Sequence, residues 1–315
     1  MPSAEPESCS ASALRAAEPL AGTAPVATGW LAIEQQGPFG RDPLRHSHFP
    51  VDVAEQLGTL MEGSGIRPAL IRPVGRHADT HADTPTRRIF LARSSPGSST
   101  MVTTTITDAA ELLHLNLEAF AAGDLGNALP GAVPEEAPLL LVCTHAKRDV
   151  CCALRGRPLA RDLALNPDFR ELVWETSHLG GHRFAGNVVA CPQGWFYGNL
   201  DPDSAVAAIK ALDEGRLVLD HLRGHGGLSA EVQYAEIELR RHLGHDRLTG
   251  VTVLSHERGR VAIDVDGTAY EVLVDTVPGP DLLMSCRDDL PKASTCFVTL
   301  AIRELATEDP DSGGQ

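Results

Sequence analysis

Aromatic side chains are scarce in this 315-residue chain, which has three Trp, three Tyr and eight Phe. The chain therefore offers little material for stacking platforms in a sugar-binding cleft. A glycosidase also needs two carboxyl groups that flank the scissile bond, and the acidic residues form no suggestive pair in the sequence. We do not expect glycoside hydrolysis.

Basic side chains are also few compared with acidic ones. Lys and Arg together number 27 against 42 Asp and Glu, which gives a formal net charge of −15. A field of this sign repels the phosphates of nucleic acids and the surfaces of anionic membranes. We therefore expect neither a nucleic-acid partner nor a membrane partner.

Long apolar runs are also missing. No run approaches the roughly 18–20 apolar residues that a membrane-spanning helix needs, and residues 1–27 lack the basic start and apolar core of an export signal. We expect a cytoplasmic protein, in which thiols stay reduced and cysteines serve as ligands or redox groups more often than as disulfides. Each of the seven cysteines then needs its own explanation.

Hydrophobic patterning predicts an α/β protein built from several parts. The predicted parts are a disordered tail at 1–27, an N-terminal α/β region at 28–129, a compact α/β domain at 130–222 on which that region packs, and a small C-terminal α+β appendage at 230–307. The apolar run Leu139–Val142 is typical of a buried parallel strand. We expect a loop from Cys143 to Cys152 after it, and then a helix at 154–165.

Two segments rich in small residues are expected to be flexible. Residues 94–100 contain four Ser, one Pro and one Gly, which predicts a mobile connector. The run Arg223–Gly227 contains three Gly and follows the compact domain, so we expect a linker in which His225 is solvated.

Two cysteines and two histidines offer metal ligands from neighbouring loops. Cys143 and Cys152 enclose the first loop, and His178 and His182 occupy the second, with Gly180 and Gly181 between them. Two thiolates and two imidazoles can enclose either a tetrahedral ion or a dinuclear centre. The residues alone therefore leave a structural Cys₂His₂ zinc site and an iron–sulfur cluster both open, with Cys151 as a rival to Cys152.

The same two loops carry a family resemblance. The pieces Val-Cys-Thr-His-x-x-Arg-Asp-x-x-Cys at 142–152 and His-x-Gly-Gly-His-x-Phe-Ala-x-Asn at 178–187 resemble the sucrase/ferredoxin-like family, whose members are similar to thioredoxin-like [2Fe–2S] ferredoxins with mixed Cys/His ligation. The resemblance implies a thioredoxin-like ferredoxin domain at 130–222. It also implies a [2Fe–2S] cluster held by Cys143, Cys152, His178 and His182, because Arg-Asp-x-x-Cys points to Cys152 rather than Cys151.

Mixed ligation has consequences for function. Two neutral imidazoles in place of two thiolates make a cluster less negative, so its potential rises, and each ring keeps a nitrogen that can exchange a proton. We expect a one-electron carrier, with reduction coupled to protonation, rather than an enzyme. Its partners would be a reductase and an acceptor protein that touch it through small, transient contacts.

Four further side chains are expected around the cluster. Arg148 and Arg183 could donate hydrogen bonds to cluster sulfurs, and Asp149 could pair with an arginine and hold the first loop in shape. His145 would serve as a proton relay or as a partner contact.

Two other functions stay open beside the electron carrier. One is a thiol or sulfur redox enzyme that uses Cys151 next to the cluster, and the other is a zinc-stabilised protein. The substitution Cys151→Ser separates the first from a carrier, since a carrier keeps its cluster and a thiol enzyme loses turnover.

Overall fold

The computed structural model describes residues 7–75 and 85–305. Within these residues the α-helices are α1 (Cys9–Arg15), α2 (Pro43–His46), α3 (Val51–Leu60), α4 (Leu117–Ala122), α5 (Leu125–Ala128), α6 (Val150–Leu165), α7 (Pro202–Asp213) and α8 (Ala230–Leu243). The strands are β1 (Gly29–Glu34), β2 (Ile66–Pro73), β3 (Arg87–Ser95), β4 (Ser98–Ile106), β5 (Val133–Pro134), β6 (Leu139–Cys143), β7 (Val173–Thr176), β8 (Val188–Cys191), β9 (Trp195–Tyr197), β10 (Leu222–His225), β11 (Val251–Glu257), β12 (Arg260–Val265), β13 (Thr268–Pro278) and β14 (Thr295–Glu304). Short 3₁₀ helices cover Ala109–His114, His182–Phe184 and Leu219–His221.

Ten strands form one mixed sheet in the order β10-β9-β8-β6-β7-β2-β1-β3-β4-β5. Strands β1 and β2 pair in parallel, as do β6 and β7, and the other neighbours are antiparallel. The order β2-β1-β3-β4 in one half matches β7-β6-β8-β9 in the other. Each half is thus a βαβ unit, closed by α3 or α6, followed by two antiparallel strands.

The two halves meet where β2 pairs with β7 in antiparallel register, with Arg72 opposite Glu175. The predicted N-terminal region therefore does more than pack on the 130–222 segment, because both contribute strands to a single sheet. The prediction of an α/β fold is confirmed, and the internal duplication of strand order was not visible in the sequence.

The start of α6 differs from the prediction. Asp149 caps the helix, because its side chain accepts a hydrogen bond from the Cys151 backbone N–H. The helix therefore begins at Val150, and Cys151 and Cys152 lie in its first turn rather than in the predicted loop. Gly156 lets this helix approach β6 closely, since a Cβ atom there would meet the Cys143 carbonyl oxygen.

The predicted connector at 94–100 is a β-hairpin. Strands β3 and β4 pair up to Ser95 opposite Ser98, and Pro96 and Gly97 form the turn, with Gly97 at a φ of 75°. Pro96 followed by a glycine of positive φ is the pattern of a type II turn, and the β-branched residues Val102–Thr105 favour the strand.

The predicted tail is also ordered from residue 7 to residue 27, while residues 1–6 lie outside the described residues. Helix α1 is capped by the Ser8 side chain, and Cys9, Ala13 and Ala27 are buried. Gly22 N–H then donates to the Arg223 carbonyl. The prediction of disorder is therefore wrong for residues 7–27, where small Ala and Ser side chains let the backbone pack closely against the protein.

The run Arg223–Gly227 is not a solvated linker. Strand β10 pairs with β9 and ends at His225, whose exposed fraction is 3%. His225 packs edge-on against Trp195, with ring centroids 4.9 Å apart.

The predicted C-terminal α+β unit contains helix α8 and a separate antiparallel sheet in the order β11-β12-β13-β14. Its apolar side chains pack in one core with Tyr234 and Ile237 of α8. No helix of the described residues is long and apolar enough to cross a membrane.

Candidate metal centre

Two parallel strands bring candidate ligands together at one edge of the sheet. Cys143 ends β6 opposite Thr176, the last residue of β7, and His178 follows two residues later. The carboxyl ends of adjacent parallel strands form the usual binding edge of such sheets. Cys152 lies in the first turn of α6, so that the Cys143 and Cys152 sulfurs and a ring nitrogen of His178 lie within 4.8 Å of one another.

The fourth predicted ligand lies beside this group rather than in it. The rings of His178 and His182 are 5.4 Å apart between centroids and inclined by 38°. His182 Nε2 lies 2.6 Å from the Met284 carbonyl, to which it donates. This bond fixes the tautomer of His182 and leaves the lone pair on Nδ1 free.

Within the described part of the chain, ring nitrogens without a hydrogen-bond partner occur at the site, as they also do at His145 beside it. Among the described residues, the Nδ1 atoms of His178 and His182 are both buried and have no hydrogen-bond partner. A buried polar atom without a partner costs free energy and calls for an explanation such as an ion that binds there. Burial lowers the pKa of His182, so that its ring is neutral and able to act as a ligand at neutral pH.

The two thiols are buried and hydrogen-bonded to each other. Cys143 and Cys152 are 2% and 1% exposed. The hydrogen bond from Cys152 holds the pKa of Cys143 well below its usual range against the effect of burial, and a bond with His178 adds to this shift. The same hydrogen bond, together with burial, raises the pKa of Cys152. The dipole of α6 also favours thiolate in its first turn.

Arg223 and Asn187 hold the histidine loop in place. Arg223 donates from Nη1 to the Gly180 carbonyl at 3.0 Å and to Asn187 Oδ1 at 2.8 Å, and Asn187 Nδ2 donates to the Gly181 carbonyl at 2.8 Å. Gly180 and Gly181 have φ values of 94° and 68°, which favour glycine. Arg223 was not predicted, because it lies 43 residues from Gly180 and the sequence carries no local signal of that contact.

His145 and Arg148 both border a cleft beside the centre. His145 Nε2 lies 2.7 Å from the Gly40 carbonyl, and burial lowers the pKa of its ring. Arg148 is exposed and borders a cleft of 330 Å³ with His145 and His178. The cleft gives His178 a route to solvent.

Asp149 and Arg183 make contacts that the sequence did not predict. Asp149, for which we predicted an arginine partner, accepts hydrogen bonds from the Cys286 backbone N–H at 3.0 Å and the Ser285 hydroxyl at 2.9 Å. One of its carboxylate oxygens also lies 3.5 Å from His182 Nε2. Arg183 pairs with Glu18 at 2.7 Å rather than with a thiol.

Cys151 points to a different set of side chains from Cys152. Its sulfur groups with Cys9, Asp149 and Cys286, whereas Cys152 groups with Cys143 and His178. The adjacent thiols that were rivals in the sequence are therefore separated by geometry.

The chain matches a family model described as sucrase/ferredoxin-like over residues 20–224. Among curated proteins it is similar to those named "Altered inheritance of mitochondria protein 32". The protein from Meyerozyma guilliermondii is 30% identical over 96 residues, which cover 28% of this chain and 34% of that protein. The protein from Kluyveromyces lactis is 25% identical over 128 residues, or 35% and 39% of the two chains. These matches span about a third of the length of the curated relatives, and no solved structure matches the chain.

Proposed function

Because the chain belongs to the sucrase/ferredoxin-like family, we propose that it carries single electrons on a [2Fe–2S] cluster held by Cys143, Cys152, His178 and His182. One observation carries the proposal. Two buried thiols lie beside two histidine rings whose Nδ1 atoms are buried and unpartnered. The fold that we infer for residues 130–222 is thioredoxin-like, and the βαβ unit followed by β8 and β9 supports it.

The donor arrangement favours two metal atoms over one. A single zinc ion needs all four donors around one point. Here three donors gather within 4.8 Å, and the His182 ring lies at the side of that group against His178. A [2Fe–2S] cluster spreads its four ligands over two irons, so it suits a set that is wider than a single-ion site. When bound, such a cluster supplies a one-electron redox step.

The histidines would set the potential and its dependence on pH. Neutral imidazoles leave the site less negative than thiolates, which raises the potential. The proton on His182 Nε2 is held in the hydrogen bond that this nitrogen donates to the Met284 carbonyl. Since His178 borders the solvent cleft, we propose that proton exchange with water takes place at its ring.

Electron exchange would take place on the histidine side. The two cysteines are buried, whereas His178 and His182 are half-buried. Arg41, Asp42 and Arg148 border the cleft at His178. We propose that a reductase and an acceptor protein dock there in turn, through small and transient contacts, in a reducing compartment such as the cytoplasm.

The thiol-enzyme alternative has less support. Cys151 is 1% exposed and its sulfur is in contact with the Cys9 and Cys286 sulfurs. A catalytic thiol has to meet its substrate, and this one is covered by the N-terminal helix and the segment after β13.

Visible and electron-paramagnetic-resonance spectra of anaerobically purified protein test the proposal. We expect a brown protein with about two irons per chain, and a potential that falls as the pH rises. Cys143→Ser should remove the iron, whereas Cys191→Ser, at a buried thiol in the same apolar cluster, should leave it in place. Colourless protein with zinc bound by Cys143 would contradict the proposal.

A further inference from the structure

A second group of ligand-type side chains uses none of the four ligands proposed for the Cys143 centre, which are Cys143, Cys152, His178 and His182. The sulfurs of Cys9, Cys151 and Cys286 and a carboxylate oxygen of Asp149 all lie within 4.8 Å of one another. The Cys151 sulfur is 3.1 Å from Cys286 and 3.5 Å from Cys9, and the Cys9 and Cys286 sulfurs are 3.5 Å apart. Asp149 Oδ1 lies 3.7 Å from the Cys9 sulfur. Three sulfurs and one oxygen thus form one compact donor set.

These donors come from three distant parts of the chain. Cys9 opens α1, Asp149 and Cys151 lie at the start of α6, and Cys286 lies between β13 and β14. Cys9 and Cys151 are buried, and Cys286 is half-buried. Three sulfurs at these separations crowd one another, so apolar packing alone gives little reason for their convergence.

The surroundings of the group are suited to negative charge. The Cys9 backbone N–H donates to the Cys286 sulfur at 3.3 Å. The Cys151 and Cys286 backbone N–H groups donate to the two oxygens of Asp149, at 3.1 and 3.0 Å. The dipole of α6 adds to this preference for anions.

We propose that Cys9, Cys151, Cys286 and Asp149 bind one structural Zn²⁺ ion in tetrahedral geometry. Thiolates with one carboxylate form a donor set that suits Zn²⁺, whereas Mg²⁺ and Ca²⁺ prefer oxygen ligands throughout. Tetrahedral bonds of about 2.3 Å separate sulfurs by about 3.8 Å. The observed separations therefore have to widen by less than about 1 Å, and each thiol releases one proton as it binds.

A zinc ion here would fasten both ends of the chain to α6. It would hold α1, near the start, and the segment of Cys286, near the end, against the residues that follow β6. Because ligands this far apart close long loops, the ion would stabilise the folded chain over the unfolded one. The site shares no ligand with the Cys143 centre, so each can be emptied without the other.

Metal analysis of the full chain tests the site. Protein purified anaerobically and dialysed against Zn²⁺, then against buffer, should retain about one zinc ion per chain beside its iron. Cys286→Ser and Cys9→Ser should each lower the zinc content at least about tenfold while iron is retained. Cys296→Ser, at another half-buried thiol of the C-terminal unit, is the matched control and should keep the zinc.

The Cys143→Ser variant separates this site from the other one. It should lose iron and keep zinc. Zinc that persists in both Cys286→Ser and Cys9→Ser, or that leaves with Cys143→Ser, would place the ion elsewhere and overturn the proposal. The proposal would also be overturned by wild-type protein that retains no zinc, or whose mass shows a disulfide among these thiols.

Discussion

Arg72 donates hydrogen bonds from Nε and Nη2 to a single carboxylate oxygen of Glu175, at 2.9 and 2.7 Å, where the two halves of the sheet meet. Both side chains are buried, at 3% and 9% exposure. The Thr144 hydroxyl donates to the same oxygen at 3.0 Å. Since Thr144 follows Cys143, this ion pair connects the junction of the halves with the strand that ends at Cys143.

Removal of Arg72 should therefore destabilise the whole fold. In Arg72→Met the Glu175 carboxylate stays buried without its cation, and we expect a loss of about 3–5 kcal/mol in the free energy of unfolding, measured by urea denaturation. The exposed pair of Arg161 and Asp162 provides the control. Arg161→Met should change the free energy of unfolding by no more than about 1 kcal/mol. Equal effects of the two substitutions would mean that the ion pair at the junction does not stabilise the fold.

The adjacent thiols Cys151 and Cys152 should respond in opposite ways to replacement by serine. Cys152→Ser removes a sulfur of the Cys143 centre, so the iron content should fall at least about tenfold, and the visible absorption should fall with it. Cys151→Ser removes a sulfur of the group formed with Cys9, Asp149 and Cys286, and it should leave the iron content and the visible absorption unchanged. Iron and zinc counted in the same samples check both outcomes. Loss of iron from Cys151→Ser with retention in Cys152→Ser would exchange their roles.

Local patterns in the sequence predicted much of the fold and of the Cys143 centre. The apolar run of β6 and most of helix α6 have signals within a few residues. The motifs at 142–152 and 178–187 named the four side chains that we propose as ligands, and the structure places Cys143, Cys152 and His178 within 4.8 Å.

The missed features depend on contacts between distant residues. Cys9 was interpreted as part of a tail, although its sulfur lies 3.5 Å from Cys286 across 277 residues. Arg223 reaches the histidine loop from β10, and Arg72 meets Glu175 only because the halves share a sheet. Periodicity and motif spacing describe neighbours along the chain, so they cannot show which remote segments meet.

Alanine at Gly181 should destabilise the protein through a clash with Arg223, and Gly215 is the control for backbone strain alone. Gly181 and Gly215 have φ values of 68° and 72°, so alanine strains the backbone at both by about 1–2 kcal/mol. A Cβ atom at Gly215 meets nothing within 4 Å, whereas one at Gly181 meets the Arg223 guanidinium. Displacement of that group breaks its bonds to Gly180 and Asn187.

We therefore expect Gly181→Ala to cost about 1–3 kcal/mol more than Gly215→Ala in urea unfolding, because buried hydrogen bonds are lost. Gly181→Ala should also lower the iron content, since the loop of His178 and His182 shifts. If the two variants were equally stable and equally rich in iron, Arg223 would not position this loop.

His225 should make the protein less stable in mild acid. Burial, followed by repulsion from Arg240, lowers the pKa of this ring from 6.5 to about 4, although a bond to the Gln193 backbone opposes the shift. Between these values the unfolded chain binds a proton at His225 and the folded chain does not. The free energy of unfolding therefore falls as the pH falls from 6.5 towards 4, and this contribution is fully present only above 6.5.

The contribution is at most about 3 kcal/mol, from about 1.4 kcal/mol per pKa unit. His225→Asn keeps a side-chain acceptor near the Gly227 N–H, which donates to His225 Nδ1 at 3.0 Å, and removes the titration. Urea unfolding at pH 7.5, 6 and 5 should show the wild type losing stability more steeply than the variant. Because other titrating groups are common to both proteins, the difference between the two slopes isolates His225. Parallel slopes would mean that the folded protein already accommodates a charged ring at this position.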